Sequence, residues 1–360
     1  MFVHVLLFVV GLVLLIKGGD WFVDGAVGVA RRFRLPEILI GATVVSIGTT
    51  LPEVMVSATS AVQGQSEISY GNAIGSIICN TALIAAVTVA VRPGTVNRKS
   101  LKLPVIFFFV AAIFYAVVSY AIGTFSRPVG IALLALFLTY MILSVRNARR
   151  APQIDATAGE GQAAPAVAAA DASATTDKPE ADPADPAAPA EVPDPAKAKK
   201  KARLLFWKDI AFLVIGAALI AGGANLLVEH GQAIAEALGV PQAVIALTFV
   251  ALGTSLPELI TAITSLIKGH GALSLGNVIG ANLFNLVLVS GLSVTLKPFN
   301  VPATSFIGGL NTSLVVDIPL MLAVMLILTV PALARGKLAR WQGILLLCLY
   351  AGFCVFRFVA

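Results

Sequence analysis

A six-residue stretch, Gly48-Thr49-Thr50-Leu51-Pro52-Glu53, interrupts an apolar run, and 205 residues later the chain repeats it as Gly253-Thr254-Ser255-Leu256-Pro257-Glu258. Glycine, proline and an ionisable carboxylate are costly in hydrocarbon, which leaves backbone groups unpaired and charges unsolvated. They are tolerated only inside a protein bundle or beside a watery cavity. Each Glu is therefore a candidate functional residue. Laid without a gap on residues 246–285, residues 41–80 match at 16 of 40 positions, gathered at polar residues and glycines. Sequence facing lipid would not keep polar residues this way. The same offset pairs Asp20 with Asn225, Asp24 with Glu229, Pro36 with Pro241 and Thr43 with Thr248, so the duplication reaches back before the motif.

Apolar residues make up 58% of the chain and charged residues 12%, with a mean hydropathy of +0.91. That composition belongs to a polytopic membrane protein. The net charge of +6 would suit nucleic acid, but the basic residues sit in short clusters between apolar runs, which is a topology signal. Apolar spans are expected at about 1–29, 37–62, 69–91, 103–121 and 129–145, then at 206–228, 243–267, 273–294, 314–330 and 341–356. The first lacks a basic leader and a small-residue cleavage site, so we expect a retained helix rather than a signal peptide. Within it Lys17 and Asp20, three residues apart, could pair.

Basic clusters follow the odd-numbered spans: Arg31, Arg32 and Arg34; Arg92, Arg98, Lys99 and Lys102; Arg146, Arg149 and Arg150; Lys268; Arg335, Lys337 and Arg340. This distribution predicts both termini outside and the central segment in the cytoplasm. With five spans per half, an odd number, the copies must lie in opposite orientations. The expected fold is an all-α polytopic membrane protein of ten transmembrane helices, built as two inverted five-helix repeats, residues 1–150 and 205–360. Between them, residues 151–204 are rich in Ala, Pro, Asp and Glu and cannot bury a core, so a disordered linker is expected. Its basic end, residues 197–203, can touch anionic lipid or act as a topology signal alone.

The repeated motif suits a hard cation. Pro52 and Pro257 lack a donor and crowd the carbonyls of Gly48 and Gly253, freeing backbone oxygens. Thr49, Thr50, Thr254 and Ser255 add hydroxyls, and Glu53 and Glu258 add carboxylates. Calcium takes six to eight oxygens, and two carboxylates balance its charge. Cys and His are absent from the cluster, which disfavours zinc or copper as cargo. Further along each copy, SYGNAIGSIICN (69–80) and SLGNVIGANLFN (274–285) supply more oxygens, with Ser76 and Asn80 on one helical face. The spacing of Gly71 with Gly75 and of Gly276 with Gly280 allows close helix approach. Asn72 and Asn277 read as helix-to-helix hydrogen-bonding residues. Cys79, Cys348 and Cys354 lie in apolar spans and suggest packing, not a disulfide framework.

These two blocks resemble the alpha-repeats of the cation/calcium exchanger superfamily, the sodium/calcium exchangers, above all its short bacterial branch. The resemblance covers all ten spans. It implies an ion-binding core formed by the second, third, seventh and eighth helices, a tilted first and sixth pair that moves against it, and calcium extrusion driven by sodium entry in a cell membrane, by implication a bacterial inner membrane. Carried over position by position, the metal ligands would be Thr49, Thr50, Glu53, Ser76 and Asn80 with Thr254, Ser255, Glu258 and Asn285. The partners implied are Ca2+ and Na+ as transported ions and the lipid bilayer; no resident cofactor is expected.

Three departures bear on that transfer. Ala281 stands where relatives commonly have serine, which would weaken one sodium-type site. Asn285 stands where potassium-dependent relatives have aspartate, arguing against potassium dependence. Ile77 stands where an amide is usual. A buried Glu that takes up a proton would instead couple calcium to protons, and a cation channel or a non-transporting sensor is a further alternative. The chain shows no nucleophile or phosphate-binding loop, so neither an enzyme, an ATP-driven pump nor a nucleotide partner is expected.

Overall fold

The structure, a computed structural model, describes residues 1–33, 35–150, 195–238, 253–303 and 306–359. Their helices are α1 (Phe2–Phe33), α2 (Glu37–Val62), α3 (Ser66–Val91), α4 (Arg98–Ile122), α5 (Arg127–Arg150), α6 (Pro195–Ala237), α7 (Leu256–Ile267), α8 (Gly271–Leu296), α9 (Ser313–Arg335) and α10 (Arg340–Val359). Eight of these are long and apolar enough to cross a membrane, and α7 is a shorter apolar helix. The fold is thus the expected all-α polytopic one. Thr248 and Pro241 lie outside the described residues, as does most of the linker. Helix α6 begins at Pro195, within the expected linker and ahead of the expected start of the second repeat at 205. Lys and Ala favour helix, and the basic segment extends the apolar span backwards.

The inversion is visible in backbone bonds. Gly64 ends α2 at φ +83° and Gly269 ends α7 at φ +83°; Gln65 N–H donates to Ser60 O and His270 N–H donates to Ser265 O, five residues back in each case. This is a glycine-capped helix end, built identically twice. The second signature joins the halves. Val96 N–H donates to Gly336 O at 2.9 Å, and Val301 N–H, 205 residues on, donates to Gly123 O at 2.9 Å. Gly123 and Gly336 both take positive φ, 72° and 66°, where a side chain would be strained. A short antiparallel ribbon, Thr124 with Asn300 and Phe125 with Phe299, lies at one end of the bundle, and the Thr95–Lys337 bridge lies at the other. The two contacts exchange places under the repeat.

Helix α8 occupies the middle, is buried along most of its length, and packs on α2, α3, α4 and α7. Outside this core α1 and α6 run antiparallel and pack chiefly on each other. Glycines make their seam: a methyl on Gly18 would lie 2.8 Å from Ile220 N, one on Gly25 2.6 Å from Leu213 N, and one on Gly223 2.7 Å from Gly11 O. The pair's outer surface carries exposed Val3, Leu6, Val9, Val13 and Ile16, as suits a lipid-facing surface. Gly18→Val should therefore lower thermal stability by about 1–3 kcal/mol through overpacking, read as a drop in unfolding midpoint of the purified protein. Asp20 does not pair with Lys17. Lys268, from the α7–α8 turn, reaches Asp20 at 3.4 Å and Asp24 at 2.8 Å, a tertiary contact that outcompetes the local one and ties α1 to the core.

Candidate functional site

Glu53 projects from α2 and Glu258 from the first turn of α7, and both are fully buried. They are close enough for their charges to repel, and the Glu258 carboxyl lies beside the hydroxyls of Thr49 and Thr50 from the opposite repeat. Among the described residues the Glu53 carboxyl oxygens have no hydrogen-bond partner, and the Glu258 carboxyl has only the Thr49 and Thr50 hydroxyls nearby. Thr50 Oγ1, Ser255 Oγ and both amide atoms of Asn80 and Asn285 are likewise buried and unpartnered. Six of the nine expected ligands thus present unsatisfied polar atoms. Other unpartnered atoms are spread through the bundle, but among the described residues only here do two carboxyl groups gather among them. Two adjacent anions in low dielectric are strongly unfavourable unless a cation or a proton joins them.

The remaining three ligands stand differently. Ser76 is buried on α3 four residues before Asn80. Thr49 donates to Asn277 Oδ1 at 3.3 Å, and Thr254, partly exposed, donates to Asn72 Oδ1 at 3.2 Å. These two bonds are counterparts under the repeat, each crossing between halves. Asn72 also donates to Glu53 O at 3.2 Å and Ser57 Oγ at 2.8 Å. The expected hydrogen-bonding role of the two asparagines is what the structure shows.

The backbone departs from expectation in an informative way. Proline was expected to break both copies alike. In α2 the helix continues through Pro52, whereas Thr254 and Ser255 form a turn and α7 starts at Leu256 with Pro257 in its first turn. Sequence reasoning missed the wide turns. Asn80–Ala85 and Asn285–Val289 are π-helical, at matched positions, and each begins at an expected ligand. Such turns slip the register of the helix by one residue and leave carbonyls free, and they collect at functional sites. A third covers Gly41–Val45, where Ser46 Oγ donates to Gly41 O at 2.7 Å and to Asn277 O at 2.9 Å. Ser290 caps Asn285 O in the same i to i−5 pattern. No propensity rule flags these turns. The available trace was a serine five residues after the first residue of the turn, present at Ser46 and Ser290 and replaced by Ala85 after Asn80.

The glycine pairs divide as well. Gly280 is pressed on Ala42 Cα, which a methyl would approach to 2.6 Å, and Gly276 sits against the Ile38 backbone. Gly71 and Gly75 make no such approach among the described residues. They border a cavity of about 450 Å³ lined also by Glu67, Tyr70, Asp317 and Arg357, where Arg357 binds both Asp317 oxygens at 2.6 Å. Close packing therefore holds for the second pair, not the first. Ala281 is fully buried and brings no oxygen to the position matching Ser76. Ile77 packs in the apolar core, while Asn282 at the matching position donates to Thr81 Oγ1 at 2.7 Å.

The described site can be set beside known proteins. Residues 3–146 and 208–359 match the family model described as sodium/calcium exchanger protein. The chain is 30% identical over 378 residues to the sodium/calcium exchanger MaX1 of Methanosarcina acetivorans, covering 99% of each chain. It is 33% identical over 343 residues to the uncharacterized membrane protein MJ0091 of Methanocaldococcus jannaschii, covering 95% of this chain and 94% of the other. Among solved structures it superposes on the sodium-calcium exchanger NCX_Mj, soaked with Na+ and Sr2+, at a TM-score of 0.73 and 30% identity, covering 99% and 98% of the two chains.

Proposed function

Because the chain belongs to the sodium/calcium exchanger family, we propose that it is a cation antiporter that extrudes calcium against entering sodium by alternating access. The observation that carries this reading is the pair of fully buried carboxyl groups, Glu53 and Glu258, one from each repeat, set among hydroxyl and amide oxygens of Thr50, Asn80, Ser255 and Asn285 that lack partners among the described residues. Calcium would draw on these oxygens and on the Thr49, Thr50, Thr254 and Ser255 segments; sodium would use subsets of the same oxygens with Ser76, Asn80 and Asn285. Imidazole and thiolate are missing from the expected ligand set, in keeping with a hard cation.

The inverted repeat supports alternating access, since broken helices from two inverted halves meeting at a central site can exchange roles. The Arg and Lys distribution supports both termini outside and the linker in the cytoplasm of a bacterial-type cell membrane. Asn285 supports independence from potassium.

Radioactive calcium uptake by proteoliposomes, under an outward sodium gradient, a proton gradient or neither, tests the coupling. Uptake is expected only with the sodium gradient and unchanged by potassium. Uptake that follows the proton gradient alone would replace sodium by protons in this reading, and uptake with no gradient would replace exchange by a channel.

A further inference from the structure

Two of the chain's three histidines face one another far from the carboxylate pair. His4 lies near the start of α1 and His230 near the end of α6, and their Nδ1 atoms are 3.1 Å apart with ring centroids 5.2 Å apart. His230 is 7% exposed, while His4 is partly exposed. The glycine seam fixes this meeting. Gly11 and Gly223, whose backbones touch, stand seven residues, two helical turns, from His4 and His230 respectively. Seven residues return a helix to nearly the same face, so the contact that seats the glycines also seats the rings. The separation is held by backbone against backbone rather than by flexible side chains.

Two imidazole nitrogens at this distance can share one proton or one metal ion. A Zn2+–N bond of about 2.0–2.1 Å places a single ion between nitrogens 3.1 Å apart at an angle of roughly 100°, close to tetrahedral. Imidazole suits zinc, copper and nickel and is a poor ligand for calcium. We infer that His4 and His230 form a binding site for a borderline divalent transition-metal cation, separate from the all-oxygen transport site, on the face of the bundle that carries the amino terminus. No third His, Cys, Asp or Glu joins them among the described residues. The site therefore has two protein ligands, with water completing the shell through the exposed edge of His4. Occupation would clamp α1 to α6 at one end.

Zn2+ titration of the detergent-purified full chain, followed by thermal unfolding, tests this. A saturable rise in midpoint is expected for the wild type, with apparent affinity at least tenfold weaker in His4→Gln and in His230→Gln. His4→Gln should match the wild type without metal. Because His230 is buried, the partly exposed His4→Gln serves as the variant that keeps its fold. Cu2+ on the wild type should in addition give an electron paramagnetic resonance spectrum with coupling to two nitrogens. The inference is overturned if the wild type shows no Zn2+-dependent shift, if the shift survives in both histidine variants, or if it disappears instead in Cys348→Ser, whose thiol lies exposed.

Discussion

Glu53→Gln and Glu258→Gln are each expected to abolish sodium-dependent calcium uptake, to the background of empty liposomes, while the protein still folds and elutes as the wild type does. The amide keeps the shape of the carboxyl and removes one of the two charges that balance a divalent ion. At the effective dielectric of about 20 that describes protein sites, a lost unit charge about 4 Å from the ion corresponds to several kcal/mol per ionic charge. That loss lies beyond what neighbouring hydroxyls restore. Stability should hold or rise, because each substitution relieves the repulsion between Glu53 and Glu258. Near-normal uptake in either variant would remove that residue from the site. The symmetry makes the test stricter: both variants must fail, since the residues occupy equivalent places in the two halves.

Gly280→Ala and Gly75→Ala are expected to diverge although they occupy matched positions. A methyl on Gly280 would come within 2.6 Å of Ala42 Cα, so backbone must shift, and overpacking of this kind costs about 1–3 kcal/mol. The unfolding midpoint should fall accordingly. A methyl on Gly75 meets nothing within 4 Å among the described residues, and alanine is the better helix former by about 1 kcal/mol. Its midpoint should hold or rise. Equal destabilisation of the two variants would mean that the two halves are packed alike at these glycines.

The spans were legible in the sequence because long apolar runs fix helices wherever the bilayer is the solvent. The predicted limits of the second span, 37–62, are those of α2. The carboxylate pair was legible for the same reason: a charge in such a run demands an explanation. The π turns at Asn80 and Asn285 were not, since one slipped residue leaves no mark in periodicity or composition. Nor were contacts set by tertiary placement. Lys268 takes Asp20 from Lys17 across 248 positions, and His4 meets His230 across 226, distances at which local sequence carries no information about proximity. The asymmetry at Pro52 and Pro257 was hidden because identical residues predict identical backbone, whereas under the proposed alternating access the two copies would differ in any one state.

That last point gives Gly71 and Gly75 a meaning that their idle surroundings conceal. Under the proposed alternating access, each half of the inverted repeat would display at rest the posture the other half takes after the switch. The seat of Gly276 and Gly280 against α2 is then a template for a contact that Gly71 and Gly75 would make only in the opposite state. Selection on the pair would act through turnover, not through the stability of the state seen here. Gly75→Ala should accordingly fold well and transport slowly.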